Sequence, residues 1–189
     1  MIIKTYKKIA LLLADGFELG EATMVIDILK RSGSKVDLIA IKDTFDVKSN
    51  VTVSLKVDYC LSKLKLQEYD MLVLPGGSEG TKNILNDERA RTMIIDFSKI
   101  NDKKIGAICA APSILGKLKI INEDNTVCCY PGYENELNSA TIELLPSVID
   151  GNIITGTSVG CVIDFALSLV ESLYGKTKSD KISNELVRR

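Results

Sequence analysis

A cysteine that ends a short apolar run and is followed by small residues has the makings of a nucleophile. Residues 103–113 have this form: Lys103-Lys104-Ile105-Gly106-Ala107-Ile108-Cys109-Ala110-Ala111-Pro112-Ser113. The run 105–108 follows two lysines and reads as a buried strand of a parallel sheet. Pro112 suits the first turn of a helix, where its missing N–H costs nothing. Cys109 is therefore predicted on a strand-to-helix turn that lifts its side chain to the carboxyl edge of the sheet, as a nucleophile elbow does. Unpaired N–H groups and the positive dipole end of the helix favour thiolate there, so the thiol pKa is expected to fall from ~8.5 toward roughly 3.5–7.5. The same residues also fit a structural cysteine, since free Cys is among the most buried residue types.

The chain contains no histidine, which removes the usual partner of a cysteine nucleophile and the usual metal ligand. Another group must handle protons. The titratable side chains in the first loop and first helical turn are Asp15, Glu18 and Glu21, and Glu21 lies one turn into the helix, able to point back toward the strand ends. A carboxyl group beside a thiolate must hold a proton, because two anions repel, so a raised Glu21 pKa and a lowered Cys109 pKa are expected as two views of one coupled pair. Ordinary helix N-terminal charge, stabilised by the dipole, is the simpler explanation of the same acids. Pro75-Gly76-Gly77 reads either as a tight turn or as bare backbone N–H groups forming an oxyanion hole.

The elements that position these groups follow from the 189 residues as one domain, 1–189. With 46% hydrophobic and 26% charged residues the composition is that of a globular protein. No apolar run approaches the roughly 20 residues of a spanning helix, and the first residues lack the features of a signal peptide, so a cytoplasmic protein without a membrane partner is expected. A net charge of −1 gives no footprint for nucleic acid. The five cysteines, Cys60, Cys109, Cys128, Cys129 and Cys161, form no C-x-x-C, so reduced thiols and no metal site are expected.

Buried strands are predicted at 8–13, 35–41, 70–74 and 105–108, and helices at 18–31, 89–99, 112–118 and 160–174. A strand pair turning at Ser49-Asn50 is predicted at 45–57, at an edge of the sheet. A strand is expected at 126–130, a hairpin around Asp150-Gly151 at 148–155, and a surface helix or frayed tail at 177–189. Adjacent Cys128 and Cys129 on a strand would point to opposite faces. Cys129 is a candidate resolving thiol, and Cys60 and Cys161 read as packing residues. Alternation of strands and helices makes the fold class α/β, doubly wound, with helices on both faces of a mostly parallel sheet. Ligands bind such sheets outside the carboxyl ends of the strands, where the loop after Leu13, the Pro75-Gly76-Gly77 turn and Cys109 all fall.

Three motifs in order, Leu13-Ala14-Asp15-Gly16-Phe17-Glu18-Leu19-Gly20-Glu21-Ala22, Leu72-Val73-Leu74-Pro75-Gly76-Gly77 and Gly106-Ala107-Ile108-Cys109-Ala110-Ala111-Pro112, resemble the ThiJ/PfpI superfamily, in the branch of the Parkinson-disease-associated protein deglycase. The resemblance runs from Lys8 to about Gly175 and implies a flavodoxin-like fold. It further implies Cys109 as nucleophile, Glu21 as its protonated partner, and Gly76, Gly77 and Ala110 as backbone donors around an oxyanion. Glu18, Tyr130 and Thr157 would lie near the pocket, Tyr130 and Thr157 standing where several relatives carry histidine and arginine. A homodimer packed through residues 17–29 is implied as well.

The implied activities are glutathione-independent glyoxalase and repair of early glycation adducts, with small 2-oxoaldehydes as substrates and no cofactor or metal. An alternative of a different class is a sensor or protective chaperone in oxidative stress, with Cys109 oxidised to a sulfinate. Peptidase and amidotransferase branches use a histidine base, and Ala110 follows the cysteine here instead.

Overall fold

The computed structural model describes residues 6–187; the first five residues, read above for a leader, and the last two of the tail lie outside it. In chain order the elements are β1 (Lys8–Leu13), α1 (Leu19–Arg31), β2 (Lys35–Ala40), β3 (Asp46–Lys48), β4 (Ser54–Lys56), β5 (Tyr59–Cys60), β6 (Met71–Leu74), α2 (Ser78–Asn86), α3 (Glu88–Ser98), β7 (Lys104–Ile108), α4 (Pro112–Lys117), β8 (Thr126–Val127), β9 (Thr141–Ile142), β10 (Ser147–Asp150), β11 (Ile153–Gly156), α5 (Val162–Tyr174) and α6 (Lys176–Glu185). The main sheet has the order β10-β11-β7-β6-β1-β2-β5, and only β10 runs antiparallel to its neighbour. This is the flavodoxin-like, doubly wound, mostly parallel arrangement expected of the sequence. Its connections diverge between β1 and β6, so the carboxyl ends of β1, β6 and β7 open onto one crevice.

Strands buried on both faces explain the continuous apolar runs. Alternate residues serve opposite cores: Ala10, Leu12, Leu72 and Leu74 pack under α3 and α4, while Ile9, Leu11, Leu13, Met71 and Val73 pack under α1 and α5. Helix α5 lies close to the sheet because β7 and β11 carry glycines beneath it. A Cβ at Gly156 would stand 2.8 Å from Phe165 Cβ, and one at Gly106 would stand 2.6 Å from Leu169 Cδ2. Phe165 is fully buried in that recess. Phe165→Ala is expected to lower the unfolding free energy by about 3–5 kcal/mol, read from urea denaturation.

Several expectations need correction. The strand pair β3–β4 is a separate two-stranded ribbon, and the sheet edge is β5 instead. The strand expected at 126–130 stops at Val127 and pairs with β9 outside the main sheet, so Cys128 and Cys129 follow the strand rather than alternate along it. The polar tail takes the first of its two expected forms, the helix α6, as far as Glu185. In α1, Ala22, Val25, Ile28 and Leu29 are consumed by the chain's own core, as is Phe17 before it. Leu19, Met24 and Ile26 remain half-buried, which narrows what this segment can offer a second copy.

Candidate active site

Three loops meet at the carboxyl edge. After β1, Gly16 N–H donates to Lys48 O and Glu18 N–H donates to Gly76 O at 3.0 Å. After β6, Gly77 has φ 90°, and a Cβ there would lie 2.8 Å from Glu18 N, so only glycine lets these two backbones touch. After β7, the backbone reverses at Cys109.

Cys109 has φ 65°, a left-handed conformation that costs a non-glycine residue about 1–3 kcal/mol. The surroundings hold it there. Cys109 N–H donates to Gly156 O at 2.9 Å, Tyr130 N–H donates to Cys109 O at 2.9 Å, and Ala111 N–H donates to Ile108 O at 3.0 Å. Strain of this kind at a partly buried thiol marks the elbow expected from the sequence.

Glu21 is fully buried in the first turn of α1. Its Oε2 accepts from Gly76 N–H at 2.7 Å, and its carboxyl interacts with the Cys109 thiol. Its Oε1 is buried without a hydrogen-bond partner, an arrangement far less costly for a protonated acid than for a carboxylate. Burial raises the Glu21 pKa to about 7, opposed by Gly76 N–H and Cys109 and helped by the charge of Glu18. The folded state thus binds this proton more tightly than the unfolded one. The resulting stabilisation is complete below about pH 4.5 and is lost as the pH rises to about 7, a change of about 3 kcal/mol at most. Denaturation at several pH values is expected to show that slope and to lose it in Glu21→Gln.

The expected drop in the Cys109 pKa is not found. Burial pushes the thiol up to about 12, the Glu21 charge and hydrogen bond push the same way, and only the N–H groups of Ala110 and Gly77 favour thiolate. The reason is structural: α4 begins at Pro112, three residues on, and the sulfur sits against a carboxyl group. The two groups titrate as a coupled pair: the charge of either one raises the pKa of the other, so the pair holds on to its last proton. When that proton is on Glu21, the repulsion at sulfur vanishes and the acid can donate to it.

Of the three expected donors, the N–H groups of Gly77 and Ala110 lie where they favour thiolate at the sulfur. Gly76 N–H does not serve there, because Glu21 occupies it. Glu18 is turned to Asn50, with Asn50 Nδ2 donating to Glu18 Oε2 at 2.5 Å. Tyr130 ties its backbone to Cys109, and the residue is 47% exposed. Thr157 is directed away: its hydroxyl donates to Leu145 O. Cys129 is buried in the core on the α3–α4 face, which leaves no access for a resolving thiol. Cys60 packs as expected, donating to Thr44 O. Asn50, which reads in the sequence only as a turn residue, contacts the loop that carries Glu18, and nearby the Tyr133 hydroxyl donates to Ser78 Oγ at 3.1 Å. Among the described residues no group of three His, Cys, Asp or Glu side chains could hold a metal ion.

A cysteine on a strained strand-to-helix turn, beside a buried acid at the switch point of a mostly parallel sheet, marks a flavodoxin-like protein with a candidate thiol site. More particularly, the chain belongs to the DJ-1/PfpI family, which it matches over residues 7–172. It is 30% identical over 183 residues to protein dj-1beta of Drosophila melanogaster, covering 96% of this chain and 97% of that protein. It is 31% identical over 171 residues to protein DJ-1 homolog B of Arabidopsis thaliana, covering 90% of this chain but 39% of that longer protein. It likewise covers 47% of Arabidopsis DJ-1 homolog A, so it spans less than half the length of these two relatives. Among solved structures, oxidized Toxoplasma gondii DJ-1 superposes with a TM-score of 0.88 at 27% identity, covering 96% of this chain and 98% of that one. A DJ-1 superfamily protein from Salmonella typhimurium gives 0.89 at 29%, covering 97% and 99%. Among the described residues no helix is long and apolar enough to cross a membrane.

Proposed function

We propose that this protein is a glutathione-independent glyoxalase that converts small 2-oxoaldehydes such as methylglyoxal into 2-hydroxy acids. Early glycation adducts, which hold the same aldehyde reversibly, form a second substrate class. The observation that carries this reading is the buried Glu21 carboxyl, one oxygen unpartnered and the other on Gly76 N–H, against the Cys109 thiol on its strained turn.

In the one-proton form with acid and thiolate, sulfur attacks the aldehyde carbon and the carbonyl oxygen takes the proton of Glu21, giving a hemithioacetal. Gly77 and Ala110 N–H stabilise the oxyanion as it develops. Glu21, now a carboxylate, removes the proton from that carbon to give an enediolate and returns it to the neighbouring carbon, while the hydroxyl proton passes from the first oxygen to the second. A thioester results, and water releases lactate and regenerates the thiol. No cofactor or metal enters this sequence.

A redox role is the second reading. Its support is that the donors converge on the sulfur itself, where they would also bind the oxygens of a sulfinate formed by two equivalents of peroxide. A homodimer through the outer face of α1, with Leu19, Met24 and Ile26 in contact, completes the proposed assembly.

The test is lactate formation from methylglyoxal by reduced protein without glutathione. Many lactates per chain support the glyoxalase. At most one per chain refutes it, and peroxide oxidation of Cys109 then becomes the property to measure.

A further inference from the structure

Helix α1 lacks a cap of its own. Glu18 occupies the N-cap position in extended geometry, and its side chain makes no bond to the helix's first N–H groups. Serine, threonine, aspartate or asparagine would normally fill that role. The missing acceptor comes from the β3–β4 ribbon. Asn50 Oδ1 accepts from Leu19 N–H at 3.4 Å, Asn50 Nδ2 donates to Glu18 Oε2, and Asn50 N–H donates to Phe17 O at 2.9 Å. The ribbon is tied to the same loop by Gly16 N–H donating to Lys48 O at 2.7 Å and by Lys48 N–H donating to Asp15 Oδ1 at 3.0 Å. Glu21 is the third residue of the helix so anchored, and its place over Gly76 follows from where that first turn begins.

We propose that Asn50 is a positioning residue of the cysteine site: it caps α1 from outside, fixes the Glu18 carboxylate, and through the first helical turn holds Glu21 against Gly76 and Cys109. This rests on the reading of Glu21 and Cys109 as the reactive pair. The groups that face Glu21 are Glu18 from its own helix, Gly76 N–H from the β6–α2 turn and Cys109 from the β7–α4 turn. Asn50 adds no charge to this set. It decides instead where the negative charge of Glu18 stands, and that charge favours a protonated Glu21.

Opposite shifts should follow from two substitutions. Asn50→Ala frees Glu18 to move into solvent, where its charge is screened, and the titration midpoint of the pair falls. Asn50→Asp keeps an acceptor for Leu19 N–H but adds a second anion, and the midpoint rises. Each shift is expected to be roughly half a pKa unit, or about threefold in reactivity near the midpoint.

The experiment is the rate of Cys109 alkylation by iodoacetamide against pH, read by intact mass, for the unsubstituted protein, Asn50→Ala, Asn50→Asp, Glu18→Gln and Glu21→Gln. Expected are a lower midpoint in Asn50→Ala and Glu18→Gln and a higher one in Asn50→Asp. Unchanged midpoints in both Asn50 variants overturn the proposal, whatever their melting temperatures, provided Glu21→Gln does move the midpoint. If Glu21→Gln leaves it unmoved, the reading of the pair fails and this proposal with it. Should Asn50→Ala not fold, the upward shift in Asn50→Asp decides.

Discussion

Replacing Cys109 by serine is expected to abolish lactate formation, and replacing Glu21 by glutamine to reduce it by roughly 10²–10⁴-fold, the range spanned by loss of a positioned proton-transfer group. The two variants fail for different reasons. Serine leaves the elbow in place but supplies a hydroxyl, a far weaker acid than a thiol, which the neighbouring Glu21 carboxylate cannot convert into an anionic nucleophile. Glutamine keeps a hydrogen-bonding side chain of the same size beside Gly76 but can neither give nor take the proton. The pH profile separates them further. Activity of the unsubstituted protein is expected to rise as the pair loses its first proton near pH 7, and that limb is expected to vanish in Glu21→Gln. Steady-state rates of lactate formation across pH 5 to pH 9, roughly two units either side of that midpoint, check both expectations.

The second large effect is expected from one added methyl group. A Cβ on Gly76 would stand 2.7 Å from Cys109 Cβ, 2.7 Å from Glu21 Oε2 and 2.9 Å from Ile108 O. All three are closer than a real Cβ approaches, and one is backbone that cannot swing aside. Gly76→Ala is therefore expected to push the acid and the thiol apart. Displacements of about 1 Å at a reacting centre cost on the order of 10²-fold in rate, while overpacking costs typically 1–3 kcal/mol of stability. Gly160→Ala is the contrasting variant, because its Cβ would meet only Ser158 Oγ at an ordinary 3.7 Å. Rates and urea midpoints measured on both variants should show a large loss of rate in the first alone.

What the sequence made legible is what local rules govern. The elbow at Cys109 follows from an apolar run, small residues and Pro112, all within a few positions, and the approach of Glu21 follows from helix direction and sheet topology. The sign of the Cys109 shift was not legible. A helix N-terminus is visible in the chain, whereas the burial and the carboxyl neighbour that outweigh it arise only when three loops meet. The same holds for Gly76: its position was evident, but whether its N–H faces a substrate or Glu21 is a tertiary fact. Asn50 carried only a turn signal, because its partners Phe17, Glu18 and Leu19 lie more than thirty residues before it. Thr157 was placed near the site by likeness alone, and its hydroxyl turns to Leu145. At the opposite end of the sheet, the buried Asp37 that accepts from Tyr69 at 2.9 Å and pairs with Lys8 reads in sequence as an ordinary strand residue.

The chemistry proposed here turns on whether Glu21 keeps its proton where an ordinary glutamate has lost it. Infrared difference spectra of the unsubstituted protein against Glu21→Gln, titrated through the acid range, read that proton directly from the carboxylic acid C=O stretch. Expected is a protonated carboxyl that persists above the ordinary range, is absent from the glutamine variant, and titrates with a midpoint near 7. A Glu21 carboxyl that ionises with a midpoint of about 4, as in unstructured peptides, would contradict the one-proton pair and the mechanism built on it.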